Sequence, residues 1–231
     1  MNTPDSALKE IVEQLPEHSN ILDVGCGEGK FSIDYLQNKN LKYFGVDSQQ
    51  PSALDGFKQF ATVDLDRDVL PYEDEKFDFV VSQHVIEHLR DPISLFGEMG
   101  RVCKRGGTLF VLAPSDHSTW FSLPTLQHWR HIYSFYDDPT HLGRPWSPQA
   151  LYRLGLFWNI EPNYAKYDWS FSALLTLLPK QIWGFITRNP DLLVSSWWKA
   201  TGWIAYANYK KRHWVAGKTD YRYQSYLGYR P

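Results

Sequence analysis

Cysteine, long apolar runs and net charge are all scarce in this chain. Only 2 of its 231 residues are cysteine, and they match neither a disulfide framework nor a metal motif, which is typical of a protein from a reducing compartment. The nearest candidate for a membrane span, residues 169–186, is interrupted by Pro179, Lys180 and Gln181, so we expect none. A formal charge of −2 argues against a general nucleic-acid binder.

Aromatic residues are abundant instead, and they gather near the C-terminus together with positive charge. Of the 10 Trp, 6 lie beyond Lys166. From that lysine onward there are 10 basic and 3 acidic side chains, whereas the preceding residues carry 14 basic and 23 acidic ones. Two compositions predict two regions. We expect a core over residues 1–168 and an aromatic, basic extension over residues 169–231 that completes the sheet edge. An insertion or extension between Ser170 and Lys211 would form a lid or docking surface.

Apolar runs alternate with amphipathic segments through most of the chain. Strands are predicted at Asn20–Val24, Leu41–Val46, Phe60–Val63, Phe77–Ser82, Thr108–Ala113 and Phe157–Tyr167. Helices are predicted at 8–15, Lys30–Gln37, Ile93–Val102 and Pro148–Leu154, and an irregular loop or lid over 115–147. Because strands alternate with helices, the pattern predicts right-handed crossovers and a mostly parallel α/β sheet.

A glycine-rich turn follows the first predicted strand. The segment Gly25-Cys26-Gly27-Glu28-Gly29 has Gly-x-Gly-x-Gly spacing, which differs from the Gly-x-Gly-x-x-Gly of dinucleotide-binding sheets. Glycines at such a turn let the backbone approach a ligand closely. Asp23 directly precedes the loop, and a carboxylate there suits the ammonium of an amino-acid ligand better than a pyrophosphate.

Polar residues also close the next three strands, where parallel sheets bind ligands. Asp47 lies 22 positions beyond Gly25, the separation at which an acidic residue can hold the ribose hydroxyls of adenosine. The Asp64-Leu65 pair is placed to contact an adenine, and Ser82 opens a polar cluster after the fourth strand.

Taken together, these segments resemble the class I S-adenosylmethionine-dependent methyltransferases of the small-molecule type, over Ile21 to Pro114. The resemblance implies a Rossmann-like, seven-stranded sheet with helices on both faces, ending in a β-hairpin edge, and S-adenosylmethionine as cofactor. It also implies roles for particular residues. Asp23, Gly25, Cys26, Gly27 and Gly29 would hold the methionine part of the cofactor, Asp47 and Ser48 its ribose, Asp64 and Leu65 its adenine, and Ser82 and Gln83 its sulfonium side.

Residues 136–148 resemble an Asp-Pro-Thr-His-x-Arg-Pro segment of bacterial methyltransferases associated with surface-polysaccharide and sugar biosynthesis. This chain has one extra residue before Arg144. His141 could take a proton from an acceptor hydroxyl, and Asp138 and Arg144 could contact the substrate. The alternative is a loop held by hydrogen bonds from His and Asp. His84 is a second candidate base, and His117 a further candidate for substrate contact.

The segment containing His84, Glu87 and His88 raises the question of a metal. Glu87 and His88 are adjacent and would diverge by about 100° on a helix, so that both could not face one atom. Because no third ligand stands at metal spacing, we predict no metal site. The family resemblance implies an architectural role for Glu87 and His88.

The predicted function is methyl transfer to an oxygen or nitrogen of a small molecule or glycan, including a lipid-linked or cell-surface polysaccharide precursor. Two alternatives stay open: a catalytically inactive interaction module with this fold, and an NAD-dependent oxidoreductase. The extension either rests at a lipid interface, where Trp and Tyr favour the headgroup level, or forms a helical subdomain or homodimer surface. Without a visible signal peptide we expect a cytoplasmic protein, at the cytoplasmic membrane face in the first case.

Overall fold

The computed structural model describes residues 3–29, 40–119 and 132–212. The predicted helix Lys30–Gln37, residues 120–131 of the predicted loop, and Trp214 lie outside the described residues. Seven strands form one sheet. They are β1 (Asn20–Val24), β2 (Lys42–Asp47), β3 (Gln59–Thr62), β4 (Phe77–Gln83), β5 (Cys103–Pro114), β6 (Glu161–Tyr167) and β7 (Ile204–Lys210).

The order of strands in the sheet is β3-β2-β1-β4-β5-β7-β6. The first five are parallel, and β7 runs antiparallel to both of its neighbours. The predicted α/β class with a mostly parallel, seven-stranded sheet is therefore confirmed. The chain reverses its direction of winding at β1 and β4, which is where sheets of this kind open a ligand crevice.

Among the described residues, three helices cover the two faces of the sheet: α1 (Pro4–Gln14), α2 (Pro92–Val102) and α3 (Pro148–Phe157). Each has proline in its first turn and begins after a capping side chain, from Thr3, Asp91 and Ser147 respectively. Helix α1 packs into one apolar core, whereas α2 and α3 pack into the other, across the sheet. Helices on both faces were predicted and are confirmed.

Two predicted strand starts differ from the structure. Strand β5 begins at Cys103 rather than Thr108, because the chain pairs with β4 before the Gly106 turn as well as after it. Strand β6 begins at Glu161 rather than Phe157, because α3 continues to Phe157 and the chain then turns through Asn159 at a φ of 54°.

The predicted antiparallel edge of the sheet is present, but a tight hairpin turn does not join its two strands. Strands β6 and β7 do pair antiparallel, but three helices connect them in place of a tight turn. They are α4 (Phe171–Leu175), α5 (Leu177–Thr187) and α6 (Pro190–Thr201), and we call residues 171–201 the helical insertion. The boundary predicted at residue 168 stays a prediction. Strand β7 lies beyond it and pairs with β5 of the same sheet.

Tryptophans attach the helical insertion to the sheet. The Trp203 ring is buried and stacks on Trp198, with 4.4 Å between ring centroids and an interplanar angle of 11°. Its indole N–H donates to the carbonyl oxygen of Tyr133 at 3.0 Å, and that of Trp198 donates to the carbonyl oxygen of Ile132 at 3.0 Å. These contacts fix the end of α6 against the segment that precedes α3.

Candidate active site

The parallel register brings the predicted cofactor residues to one edge of the sheet. Val24, the last residue of β1, lies opposite Val46 of β2 and Ser82 of β4. Asp47 and Gln83 follow these partners by one residue, so the glycine loop, the acidic end of β2 and the polar end of β4 share the carboxyl edge.

The glycine loop has backbone conformations that side chains rarely adopt. Gly25, Gly27 and Gly29 have φ values of 74°, 52° and 68°, in the left-handed region that favours glycine. A Cβ at Gly25 would lie 2.2 Å from a methyl carbon of Val85, whereas one at Gly27 would meet nothing within 4 Å. The first glycine is therefore packed against the protein and the second borders open space that a ligand can enter.

Strand β2 holds this loop by accepting hydrogen bonds from the backbone N–H groups of the loop. The N–H of Gly25 donates to the carbonyl oxygen of Val46 at 2.8 Å, and the N–H of Gly27 donates to Oδ2 of Asp47 at 2.8 Å. The other oxygen of Asp47 accepts from Ser48 Oγ at 3.3 Å and from the N–H of Gln49 at 3.1 Å. Asp47 is therefore oriented before any ligand binds.

Asp23 is buried beneath the loop, with 4% of its surface exposed. Its pKa is raised to about 7 as the net result of three causes: burial, the largest, raises it, a hydrogen bond from Tyr43 lowers it, and nearby Asp47 raises it. That bond runs from the Tyr43 hydroxyl to Oδ2 at 2.7 Å. A cation beside Asp23 would favour its charged form, which fits the ammonium of a methionine moiety.

Sequence reasoning missed Tyr43. It lies on β2 two residues before Gly45, which pairs with Asp23, so both side chains share a face of the sheet. The register, which the sequence does not display, was the missing signal. Cys26 is also buried, and burial together with Asp23 and Asp47 raises the pKa of its thiol to about 12, so it packs as a neutral group.

The end of β4 offers an unsatisfied polar group. Ser82 is buried, and its hydroxyl has no hydrogen-bond partner in the structure. A buried polar atom without a partner is costly unless a ligand or water supplies one. Together with the open space at Gly27, this fits a polar cofactor at the carboxyl edge. Asp64 is exposed and accepts from the N–H of Asp66 at 3.0 Å, and Leu65 is half-buried.

The first predicted base, His84, directly follows β4, and the second, His141, contacts His88 a few residues further on. His84 is 42% exposed at its side chain, and its Nδ1 lies 3.3 Å from Oε1 of the buried Glu87. Its φ of 55° is unusual for a residue with a side chain, and such strain is concentrated at functional sites. The side chain of His141 is only 5% exposed and stacks on Phe135.

Glu87, His88 and His141 form a group that we call the His–Glu cluster. One potential metal-ligand atom from each lies within 4.8 Å of the others. The prediction that Glu87 and His88 could not face one point is therefore wrong. They lie in a 3₁₀ helix, Ile86–His88, which separates adjacent side chains by about 120°, yet one ligand atom from each side chain lies within 4.8 Å of the other. His141 is the third group, and it comes from a loop more than 50 residues away along the chain.

The predicted substrate residues do not gather at one point. Asp138 accepts from the hydroxyl of Thr140 at 2.6 Å and lies 3.9 Å from His141 Nε2. Arg144 is exposed. His117 lies at the helical insertion, where its Nδ1 is 2.9 Å from the carbonyl oxygen of Thr201. Their roles toward a substrate stay predictions.

An apolar cleft of about 640 Å³ lies between β6 and the helical insertion. Its lining is mostly aromatic and aliphatic, and His117 lies at its border. The main apolar side chains are those of Tyr167, Trp169, Leu174, Leu177, Trp197 and Ala200. No helix among the described residues is both long and apolar enough to cross a bilayer.

Residues 2–155 match the family model described as a methyltransferase domain. Two curated relatives match a shorter part. The chain is 33% identical over 103 residues to ajmaline N-methyltransferase of Rauvolfia serpentina, covering 41% of this chain and 35% of that protein. It is 32% identical over 98 residues to ubiquinone biosynthesis O-methyltransferase of Hahella chejuensis, covering 39% and 41%. The chain thus spans less than half the length of these two relatives.

A solved structure extends the likeness to most of the fold. The SAM-dependent methyltransferase of Archaeoglobus fulgidus superposes with a TM-score of 0.60 over 89% of this chain and 92% of that one, at 19% identity. The family model covers well over half of the residues, and the mostly parallel, seven-stranded sheet agrees with the fold that the motifs implied. The chain therefore belongs to the methyltransferase-domain family and has the fold of the class I enzymes that use S-adenosylmethionine as cofactor.

Proposed function

We propose that this chain transfers a methyl group from S-adenosylmethionine to an oxygen or nitrogen of a small molecule or glycan that carries an apolar, lipid-like portion. The arrangement of residues at the carboxyl edge supports the first part of this proposal, the use of S-adenosylmethionine. Buried Asp23, the glycine loop, the pre-oriented Asp47 and the unpartnered Ser82 meet there.

Different residues of this edge would bind different parts of the cofactor. Asp23 and the loop from Gly25 to Gly29 would hold the methionine part, Asp47 and Ser48 the ribose, Asp64 and Leu65 the adenine, and Ser82 and Gln83 the sulfonium side. Bound there, S-adenosylmethionine supplies an electrophilic methyl group: the acceptor lone pair forms the new bond to carbon, and the electron pair of the broken carbon–sulfur bond stays on sulfur. An acceptor hydroxyl also loses its proton, which His84 or His141 would take up.

The helical insertion supports the second half of the proposal. Its large apolar side chains are exposed on α4 and α5, far more than such residues usually are. Those at least 57% exposed are Phe171, Leu175, Leu178, Ile182, Trp183, Phe185 and Ile186. Contiguous apolar surface of this kind marks an interaction site, and the surplus of basic residues beyond Lys166 favours an anionic lipid surface over an acidic protein.

We therefore place the protein at the cytoplasmic face of a membrane, with the helical insertion resting on lipid and the apolar cleft beside it. Lys180 and Arg188 flank the exposed side chains of α5, which suits anionic headgroups. The cleft could receive the apolar portion of the acceptor while its polar end reaches the carboxyl edge. His117, at the cleft border, would contact that polar end, and Arg144 would contact another part of the substrate.

Two assays test the proposal. Transfer of labelled methyl from S-adenosylmethionine is measured with lipid extracts and with water-soluble extracts as acceptors, and we expect transfer to the former. Flotation with anionic vesicles is compared between the wild type, Leu178→Ser combined with Ile182→Ser, and the control Val69→Ser. Val69 is 70% exposed but lies outside the insertion. Cofactor binding without transfer to any extract would favour the inactive interaction module.

A further inference from the structure

We infer that Glu87, His88 and His141 form a binding site for a divalent transition-metal ion. One potential ligand atom from each lies within 4.8 Å of the others. Bonds of about 2.0–2.2 Å to a common ion would draw these atoms together slightly, which small side-chain rotations accomplish. The ligand set, a carboxylate and two imidazoles, is one that Zn²⁺ and its transition-metal neighbours prefer over the all-oxygen sites of Ca²⁺.

The carboxylate of Glu87 is the first independent sign of a missing cation. Glu87 is 1% exposed, and neither of its oxygens has a hydrogen-bond partner in the structure. The nearest basic group is Nδ1 of His84, at 3.3 Å from Oε1, a separation short enough for an ion pair but without hydrogen-bond geometry. A buried carboxylate without donors is expensive, and an ion bound beside it removes that cost.

The hydrogen bond of His141 leaves a lone pair for a metal. Its Nδ1 lies 2.7 Å from the carbonyl oxygen of Phe135. A carbonyl oxygen only accepts, so Nδ1 carries the proton and donates it. In the neutral ring Nε2 then carries the free lone pair. A metal-binding histidine commonly donates its other N–H to a backbone carbonyl in this way.

His88 is held in the same tautomer. Its Nδ1 lies 3.2 Å from the carbonyl oxygen of Thr140 and 3.0 Å from the Thr140 hydroxyl. That hydroxyl donates its own proton to Asp138 at 2.6 Å, so it accepts from His88. In both imidazoles, whose ring centroids are 4.9 Å apart, Nε2 is therefore the nitrogen left free to bind a metal, and one nitrogen of each ring lies within 4.8 Å of an oxygen of the buried carboxylate. Two acceptor nitrogens and a carboxylate have no proton to share, whereas a metal ion satisfies all three.

Position links this site to the reaction. The cluster follows the carboxyl end of β4, directly after the residues proposed for the sulfonium side. In the function proposed above, and resting on it, the ion would bind an oxygen of the acceptor and lower the pKa of its hydroxyl. His141 would then act as a ligand rather than as the general base, and Asp138 would position His88 through Thr140.

Metal binding by the full chain, free of any polyhistidine tag, tests the inference. After chelator treatment the protein is titrated calorimetrically with Zn²⁺, Mn²⁺ and Mg²⁺, and bound metal is counted after dialysis. We expect one Zn²⁺ or Mn²⁺ per chain and a higher thermal unfolding midpoint with the ion. Glu87→Gln and His141→Gln should weaken binding by at least about 100-fold, because losing a ligand costs more than the roughly 10–100-fold lost with a residue that only orients one, and should abolish the thermal shift.

His18→Asn is the matched control, because His18 is exposed and its φ of 63° suits asparagine. It should bind the ion as the wild type does. The Glu87→Gln variant keeps the shape of the side chain. Its thermal unfolding midpoint, measured in the presence of chelator, shows that it folds. Absence of binding by the wild type, or binding that persists in both variants, overturns the site and leaves Glu87 balanced by a protonated imidazole. Binding of S-adenosylhomocysteine by the same preparations separates failure of this site from failure of the proposed function.

Discussion

The carboxyl edge of the sheet and the helical insertion differ in how their residues are held. At the edge, backbone and side chains are locked: Asp47 accepts from the loop, Gly25 packs against Val85, and Asp23 is buried under Tyr43. On the outer side of the insertion, large apolar side chains lie in solvent, as Leu178 does with 73% of its surface exposed. A pre-organised site suits a small ligand of defined shape. An exposed apolar surface suits a partner without one fixed shape, such as a lipid bilayer.

The largest expected effect concerns the buried carboxyl group at the edge. The pKa of Asp23 is raised by burial to about 7, so between about pH 4 and pH 7 the folded protein keeps a proton that the unfolded chain has lost. Its contribution to stability therefore falls as pH rises, by on the order of 4 kcal/mol across that window. Asp23→Asn should lack this decline, as urea unfolding of both proteins at the two ends of the window will show. Parallel pH profiles for the two proteins would refute the buried, protonated state.

The second prediction compares two glycines of the same loop. Both Gly25 and Gly27 have positive φ, so alanine costs about 1 kcal/mol at either position. Only at Gly25 does the added carbon meet Val85, at 2.2 Å, and overpacking adds roughly 1–3 kcal/mol. Chemical denaturation should rank Gly25→Ala clearly below Gly27→Ala. Equal losses would mean that the packing of the loop on Val85 is not as the structure has it.

The third prediction concerns the attachment of the insertion. Trp203→Phe removes the indole donor to the Tyr133 carbonyl and leaves that oxygen unpaired, at a cost of about 1–3 kcal/mol. Trp183→Phe is the matched control, since Trp183 is 62% exposed and should change stability by less than about 0.5 kcal/mol. Thermal unfolding of the two variants measures both. A loss of stability that is larger for Trp183→Phe than for Trp203→Phe would show that the outer side of α5 is covered.

The smallest effect is expected on the outer side of the insertion. Leu178→Ser with Ile182→Ser should leave the free energy of unfolding within about 1 kcal/mol of the wild type, because both side chains already contact water. The same change should abolish vesicle flotation. Destabilisation by several kcal/mol would instead identify this surface as the core of an oligomer.

The two regions also differ in how far sequence could predict them. The carboxyl edge was predictable because each of its segments is a short local pattern, a strand followed by a turn, and parallel strands bring such ends together. Tyr43 was missed because its contact with Asp23 depends on register. The meeting of His141 with His88 was missed because a loop brings it there from a distant part of the chain.

The helical insertion was harder to predict for a different reason. Helix assignment from periodicity assumes that apolar residues face a core. On α5 they do not: Leu178, Ile182 and Trp183 face water, and the helix packs on α6 through Gly184 against Leu193. A segment with exposed apolar residues loses the contrast between its two faces, so the sequence left a helical subdomain as one alternative and did not give the bounds of the three helices.

Calorimetric titration with S-adenosylhomocysteine tests the central claim most directly, namely that the carboxyl edge binds the cofactor through Asp47. We predict micromolar binding by the wild type and binding weaker by about 100-fold in Asp47→Ala, the loss expected for a charged hydrogen-bonding group. Asp191→Ala, at an exposed carboxylate on α6, should bind as the wild type does. A well-folded wild type that does not bind, or an Asp47→Ala variant that binds equally well, would contradict the account.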